Sequence, residues 1–275
     1  MNRHSAIRGF ALSLESLSDR IVPAATAVQE GTLLTITGDS GANVIEITDD
    51  GTELTVVCDG EEVVLDGPVT EFVLSLGSGN DEVSLTFSGA LEGTRTFDVS
   101  LGNGHDTFTA SLGDGAVDPN TNEAVPSSLA DGAVLELAVR GMNGHDSLSF
   151  DAASTDVGAG ATLSVELGGG NGKDTLDYSY GGILLGDLTL SASGGNGKDE
   201  VCGEATFDAT STGTADLDVM GGNGKDTLAL LVTDDSGDTS TLAGLTATVD
   251  GGRGADLADV LGDVEVIGAK TKGPK

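Results

Sequence analysis

A short phrase that returns along the chain in register constrains this sequence more than any other feature. Gly169-Gly-Asn-Gly-Lys-Asp174, Gly194-Gly-Asn-Gly-Lys-Asp199 and Gly221-Gly-Asn-Gly-Lys-Asp226 are identical, and Gly102-Asn-Gly-His-Asp106 and Gly141-Met-Asn-Gly-His-Asp146 are close variants. Weaker copies flank them, Gly77-Ser-Gly-Asn-Asp81 before and Gly251-Gly-Arg-Gly-Ala-Asp256 after, with Gly41-Ala-Asn43 as a degenerate first member. Aligned on the last residue (Asn43, Asp81, Asp106, Asp146, Asp174, Asp199, Asp226, Asp256), neighbouring copies lie 38, 25, 40, 28, 25, 27 and 30 residues apart.

The flanks keep the same register. Seven and nine residues before the aligned position stand Leu74 and Phe72, Val99 and Phe97, Val139 and Leu137, Leu167 and Val165, Ala192 and Leu190, Val219 and Leu217. Two and four residues after it stand Val83 and Leu85, Phe108 and Ala110, Leu148 and Phe150, Leu176 and Tyr178, Leu228 and Leu230. Period-two alternation on both sides of a glycine turn predicts two strands, each with one buried face, entering and leaving that turn. A unit of about 25 residues holds two such strands and two turns, which closes one flattened coil.

The expected fold is therefore all-β, a parallel β-solenoid with one glycine-aspartate turn per coil of about 25–30 residues, spanning residues 25–268. The return turns vary: 181–187 is short, whereas 113–132 is a long polar insertion. Residues 52–70 read as an extra hairpin, with 54–57 and 63–65 flanking a turn at 58–62. Residues 269–275 are basic and unpatterned, and read as a disordered tail.

Composition agrees. Against 43 Gly there are 5 Pro, no Trp, two Tyr and seven Phe, which suits thin layers of small side chains rather than one thick core. The formal charge of -33 disfavours nucleic acid as a partner and, with no long apolar run, gives no ground for membrane insertion; a cation is the natural counterpart. Cys58 and Cys202 fall in distant repeats, beyond disulfide reach, and read as isolated core-type residues without zinc-site spacing.

Glycines let the turn curl with its carbonyls facing inward, and the aspartate adds a carboxylate. These are hard oxygen donors of the kind calcium takes six to eight of. One turn is too small to supply that shell, but two stacked at the ~4.8 Å strand spacing can share it.

In Gly221-Gly-Asn-Gly-Lys-Asp-Thr-Leu228, Gly169 to Leu176 and Gly194 to Val201, every fixed position of the pattern G-G-x-G-x-D-x-U is met, with U apolar. The turns thereby resemble the repeats-in-toxin (hemolysin-type) calcium β-roll. That resemblance implies Ca2+ as the bound ion. It implies ligands at backbone oxygens within the turns, among them Gly102, Gly104, Gly141, Gly144, Gly169, Asn171, Gly194, Asn196, Gly221 and Asn223, and at the carboxylates of Asp81, Asp106, Asp146, Asp174, Asp199, Asp226 and Asp256. Two departures stand out: the motif occurs once per coil rather than in tandem, so one row of sites forms, and a cation (His105, His145, Lys173, Lys198, Lys225) precedes each of five aspartates. A metal-free reading keeps each Asp as a turn former with the Lys as its ion-pair partner.

Residues 1–24 carry Arg3, Arg8 and Arg20 around an interrupted apolar stretch, and Leu14-Glu-Ser-Leu-Ser-Asp-Arg-Ile-Val-Pro-Ala24 resembles the leader of planctomycete-type extracellular proteins. This implies export and a secreted or cell-surface location, with cell-surface or matrix components as partners. No Ser-His-Asp or Cys-His set and no phosphate loop appears, so catalysis is not expected. The functional expectation is an extracellular calcium-binding repeat protein with a structural or interaction role. The alternatives are a polysaccharide-acting β-helix enzyme and a metal-free adhesin or surface-layer spacer.

Overall fold

The computed structural model describes residues 25–113, 127–237, 242–262 and 265–271. The expected leader and most of the long insertion lie outside the described residues. What is described is an all-β parallel solenoid of about six turns, with shorter strands at its ends.

One sheet stacks Leu33–Thr37, Glu71–Ser75, Thr94–Gly104, Val134–Gly144, Thr162–Gly172, Asp187–Gly197, Thr214–Gly224 and Gly244–Asp250. The other stacks Val44–Asp49, Glu82–Phe87, Thr107–Leu112, Ser147–Ala152, Thr175–Gly182, Glu200–Phe207, Thr227–Asp234 and Leu257–Leu261. All pairings within these two rows are parallel and in the register that the motif alignment demands, for example Val139 opposite Leu167 and Leu148 opposite Leu176. A third, small sheet of Ala90–Leu91, Ser127–Leu129 and Thr155–Val157 lines the return edge, where turns alone were expected.

The alternating residues form inward columns. Phe72, Phe97, Leu137, Val165, Leu190 and Leu217 follow one another on one sheet, and Val83, Phe108, Leu148, Leu176, Val201 and Leu228 on the other, all buried. Each column gains from like stacking on like, as where the Phe72 and Phe97 rings lie 4.2 Å apart and nearly parallel. Tyr178 is the large member of its column, and Gly203 above it makes the room: a Cβ there would lie 2.5 Å from the tyrosine ring.

Antiparallel strands close the first end. Thr26–Glu30 covers Leu33–Thr37, and Leu54–Cys58 covers Val44–Asp49. The extra hairpin is tighter than expected, because Leu54–Cys58 turns at Asp59-Gly60 into Glu61–Glu62, and 63–65 forms no strand. At the far end Lys270–Thr271 pairs with Leu257–Ala258, so the stack continues two residues into the segment read as a free tail. Both cysteines are free; Cys58 is buried, but Cys202 sits half-buried on an outward position of its strand rather than in the core.

Candidate functional site

The motif is not a loop that interrupts the strands. In the five best copies the strand runs through Gly-Asn-Gly, and the turns of neighbouring coils pair residue for residue, Asn143 on Asn171 and Gly144 on Gly172. This close stacking explains the glycines. At the fourth place of the phrase, a Cβ on Gly104, Gly144, Gly172, Gly197 or Gly224 would fall 1.5–1.7 Å from the carbonyl oxygen of the equivalent glycine one coil earlier. No side chain fits there. At the second place φ is positive, +111° at Gly102, +101° at Gly170, +98° at Gly195 and +94° at Gly222, and only the Asp146 coil departs, with Met142 at +78°.

The aspartates sit behind this edge, inside the solenoid. Asp81, Asp106, Asp146, Asp174, Asp199, Asp226 and Asp256 are 0–3% exposed. Each points one carboxylate oxygen along the axis to the coil before it: Oδ1 of Asp81 accepts the Asn43 N–H at 2.8 Å, Asp106 that of Asp81 at 2.8 Å, Asp146 that of Asp106 at 3.0 Å. Asp174, Asp199, Asp226 and Asp256 accept from Asp146, Asp174, Asp199 and Asp226, each at 2.9 Å. Seven carboxylates therefore form one continuous column.

The second oxygen, Oδ2, is buried and has no hydrogen-bond partner among the described residues in any of the seven. In the coils of Asp146, Asp174, Asp199 and Asp226 it faces the first glycine of the phrase, a place that Leu76 and Leu101 take in the Asp81 and Asp106 coils. A Cβ on Gly141 would lie 2.5 Å from Oδ2 of Asp146 and 2.6 Å from the Gly169 carbonyl oxygen, and one on Gly169 2.7 Å from both Oδ2 of Asp174 and the Gly194 carbonyl oxygen. A carboxylate oxygen and the next coil's carbonyl oxygen thus open onto one small space that glycine alone leaves clear.

Burial raises the carboxyl pKa of Asp81, Asp106, Asp174 and Asp226, opposed by the hydrogen bond from the coil before. Asp146 and Asp199 are pushed up to about 6, burial again being the largest cause, and the flanking aspartates of the column add to it.

The asparagines of the phrase do something else. Asn103, Asn143, Asn171, Asn196 and Asn223 are exposed and form their own ladder, each Nδ2 donating to the Oδ1 one coil earlier at 2.9–3.0 Å from Asn143 onward. Of the residues expected to act together, the aspartates and the first glycines converge, whereas the side chains of Asn171, Asn196 and Asn223 lie on the rim. The cations are exposed too. Lys173, Lys198 and Lys225 form no ion pair with a described residue, so they are not the aspartates' partners. The His105 and His145 rings stack 5.0 Å apart, and His145 Nδ1 accepts the Lys173 N–H at 2.7 Å.

Sequence reasoning aligned Asn43 as the first member of the column but did not single out Asp59, which closes it. Asn43 replaces aspartate there: its Oδ1 accepts the Asp39 N–H at 3.1 Å, and its Nδ2 donates to Asp59 Oδ2 at 3.2 Å. Asp59 also accepts the N–H groups of Ala25 and Val44, each at 2.7 Å. Burial, which would raise the Asp59 pKa, is outweighed by these bonds, and the carboxyl is held below its ordinary value. The signal was available, since Asp59-Gly60 is a hairpin turn pair of the commonest kind.

Among the described residues no three His, Cys, Asp or Glu side chains stand close enough together to hold a metal by side chains alone. An ion at this edge would need backbone carbonyls and water for most of its shell, as one carboxylate oxygen and one carbonyl per level would supply only the start of it. That donor set, hard oxygens with an uncompensated charge behind them, suits calcium and does not suit a soft metal. Comparisons with protein-family models, curated proteins and solved structures return no match for this chain.

Proposed function

We propose that this chain is an extracellular, non-enzymatic calcium-binding repeat protein of the repeats-in-toxin kind, in which calcium held along the aspartate column stabilises the solenoid. One observation carries the reading. The glycines of the motif are accounted for by close stacking, but stacking gives no role to seven buried carboxylate oxygens without partners. A buried, unpaired anionic oxygen is costly, and a column of them at coil spacing is costlier still. A divalent cation supplies the missing positive charge, and Asp81 to Asp256, with the carbonyls of the first glycines from Gly141 onward, are the groups that would meet it. Their hydrogen bonds from the coil before hold the carboxylates in place for that contact.

A second reading is favoured by the raised pKa values: a metal-free spacer whose carboxyls keep a proton on Oδ2. The two differ in solution. Calcium that binds the folded state alone contributes about 2.7 kcal/mol per site at a hundred times its Kd. Two filled sites therefore raise Tm by roughly 10 °C or more in a domain of this size. The expected result is such a rise at millimolar calcium and neutral pH, reversed by a chelator, with binding heat in isothermal titration. No heat and an unchanged Tm would leave the spacer.

A further inference from the structure

Between residues 25 and 269 the chain has six Lys and Arg. Arg95 and Arg140 are committed to ion pairs with Asp49 and Asp98. Of the other four, Lys173, Lys198 and Lys225 lie on the turn edge in register with the His105 and His145 pair, Arg253 lies beside them opposite Asn223, and none is ion-paired with a described residue. In a chain of net charge -33 the lysines between residues 25 and 269 thus form one line parallel to the solenoid axis, with Arg253 in the neighbouring asparagine row.

The exposed strip around that line is uncharged for most of its length. On one side runs the asparagine ladder, and on the other, just past the buried aspartates, stand Thr107, Ser147, Thr175 and Thr227, with Glu200 the exception. Beside the ladder is a groove of about 400 Å³, whose lining includes Arg140, Met142, Asn143, Gly170 and Asn171, with Glu166 as its one acidic residue.

We infer that this edge binds a linear anionic polysaccharide lying along the solenoid axis, its sulfate or carboxylate groups on the cation row and its sugar rings beside the amide ladder. The lysines of the row are exposed. From Lys173 to Lys225 the row repeats one lysine per coil, ~4.8 Å apart, which suits a polymer that repeats an anion and gains affinity by engaging several at once. Amides and hydroxyls flanking the charges are the donors and acceptors that sugar hydroxyls use. Nucleic acid fits less well, as the cation row carries no Phe, Tyr or Trp and its two imidazole rings, His105 and His145, already stack on each other. The inference rests in part on the calcium reading, because Asp174, Asp199 and Asp226 stand directly behind Lys173, Lys198 and Lys225 and offset their charge unless a cation occupies the column.

The test uses the full chain against immobilised dextran sulfate, hyaluronate and neutral dextran, in calcium and in chelator, with calcium titrated separately by calorimetry on the same protein. Binding to one or both anionic polymers but not to dextran is expected, and comparison of the two tells sulfate from carboxylate. The variant Lys173→Ala/Lys198→Ala/Lys225→Ala removes exposed side chains that form no ion pair with a described residue; its affinity should fall at least tenfold and its salt dependence by about three ions. Calcium binding without polymer binding overturns this inference alone. Polymer binding without calcium binding retains it and overturns the calcium reading. Equal binding by the triple variant, or equal binding of a single-stranded oligonucleotide, overturns the assignment to this edge or to a polysaccharide.

Discussion

The first level of the column and the levels that follow it solve the same problem in different ways. At Asn43 a neutral amide fills the slot, and both its oxygen and its nitrogen are hydrogen-bonded, with Asp59 gathering three donors beside it. From Asp81 to Asp256 a carboxylate fills the same slot and leaves one oxygen unpaired at every level. The contrast teaches that the unpaired oxygen is not imposed by the coil. The fold accommodates an amide at this position, and the repeating body carries a charge there instead.

The largest effect that separates the two regions should come from one substitution made in each. A Cβ on Gly197 would lie 1.6 Å from the Gly172 carbonyl oxygen, whereas one on Gly60, in the cap turn, meets nothing within 4 Å. Gly197→Ala should destabilise by more than about 4 kcal/mol or prevent folding, while Gly60→Ala, at φ +82°, should lose about 1 kcal/mol; urea unfolding of both reads the difference. Similar losses would mean that the turns do not stack as closely as described.

Acid separates the regions next. Asp146 and Asp199 have folded pKa values above their unfolded ones, at about 6, so the penalty for ionising them is fully present above pH 6 and disappears as pH falls toward 4. Asp59 is shifted the other way, so its contribution holds above the ordinary aspartate value and is lost only in stronger acid. In chelator, Tm should therefore rise from pH 7 to pH 5 and fall at lower pH. In Asp146→Asn/Asp199→Asn, which removes both groups and their repulsion within the column, the gain in stability from pH 7 to pH 5 should be smaller by on the order of 2 kcal/mol. Identical pH profiles would show that these two groups titrate normally.

The smallest effect concerns the two non-glycine residues with positive φ among the described residues. Asp59, at +50°, is held by its hydrogen bonds; Met142, at +78°, is 44% exposed and stands where the neighbouring coils have glycine. Met142→Gly should stabilise by about 1 kcal/mol and Asp59→Gly should destabilise, as thermal melts will show.

The strands and their register were legible because two alternations, seven and nine residues before the motif and two and four after it, hold through successive coils. The position of the aspartates was legible by the same rule and was not read from it. Counted back from Leu176 and Tyr178, Asp174 falls on the inward parity, but an aspartate beside glycines reads as a surface turn residue, and propensity outweighed the count. The third sheet escaped because its strands are two or three residues long, too short for periodicity to register. The asparagine ladder escaped for a different reason: a glycine-rich phrase suggests a loop, and only the residue-by-residue pairing of the turns brings identical amides within reach of one another.

The direction of the aspartate column bears on how such a chain assembles. In every link the N–H belongs to the earlier coil and the carboxylate to the later one. Each winding therefore waits for its successor to satisfy it, and growth from the closed amino-terminal end proceeds in the order in which the polypeptide emerges. A whole winding removed from the middle would leave its former neighbours able to make the same bond with each other, so the length of the rod is free to change by integral steps while its two ends stay as they are.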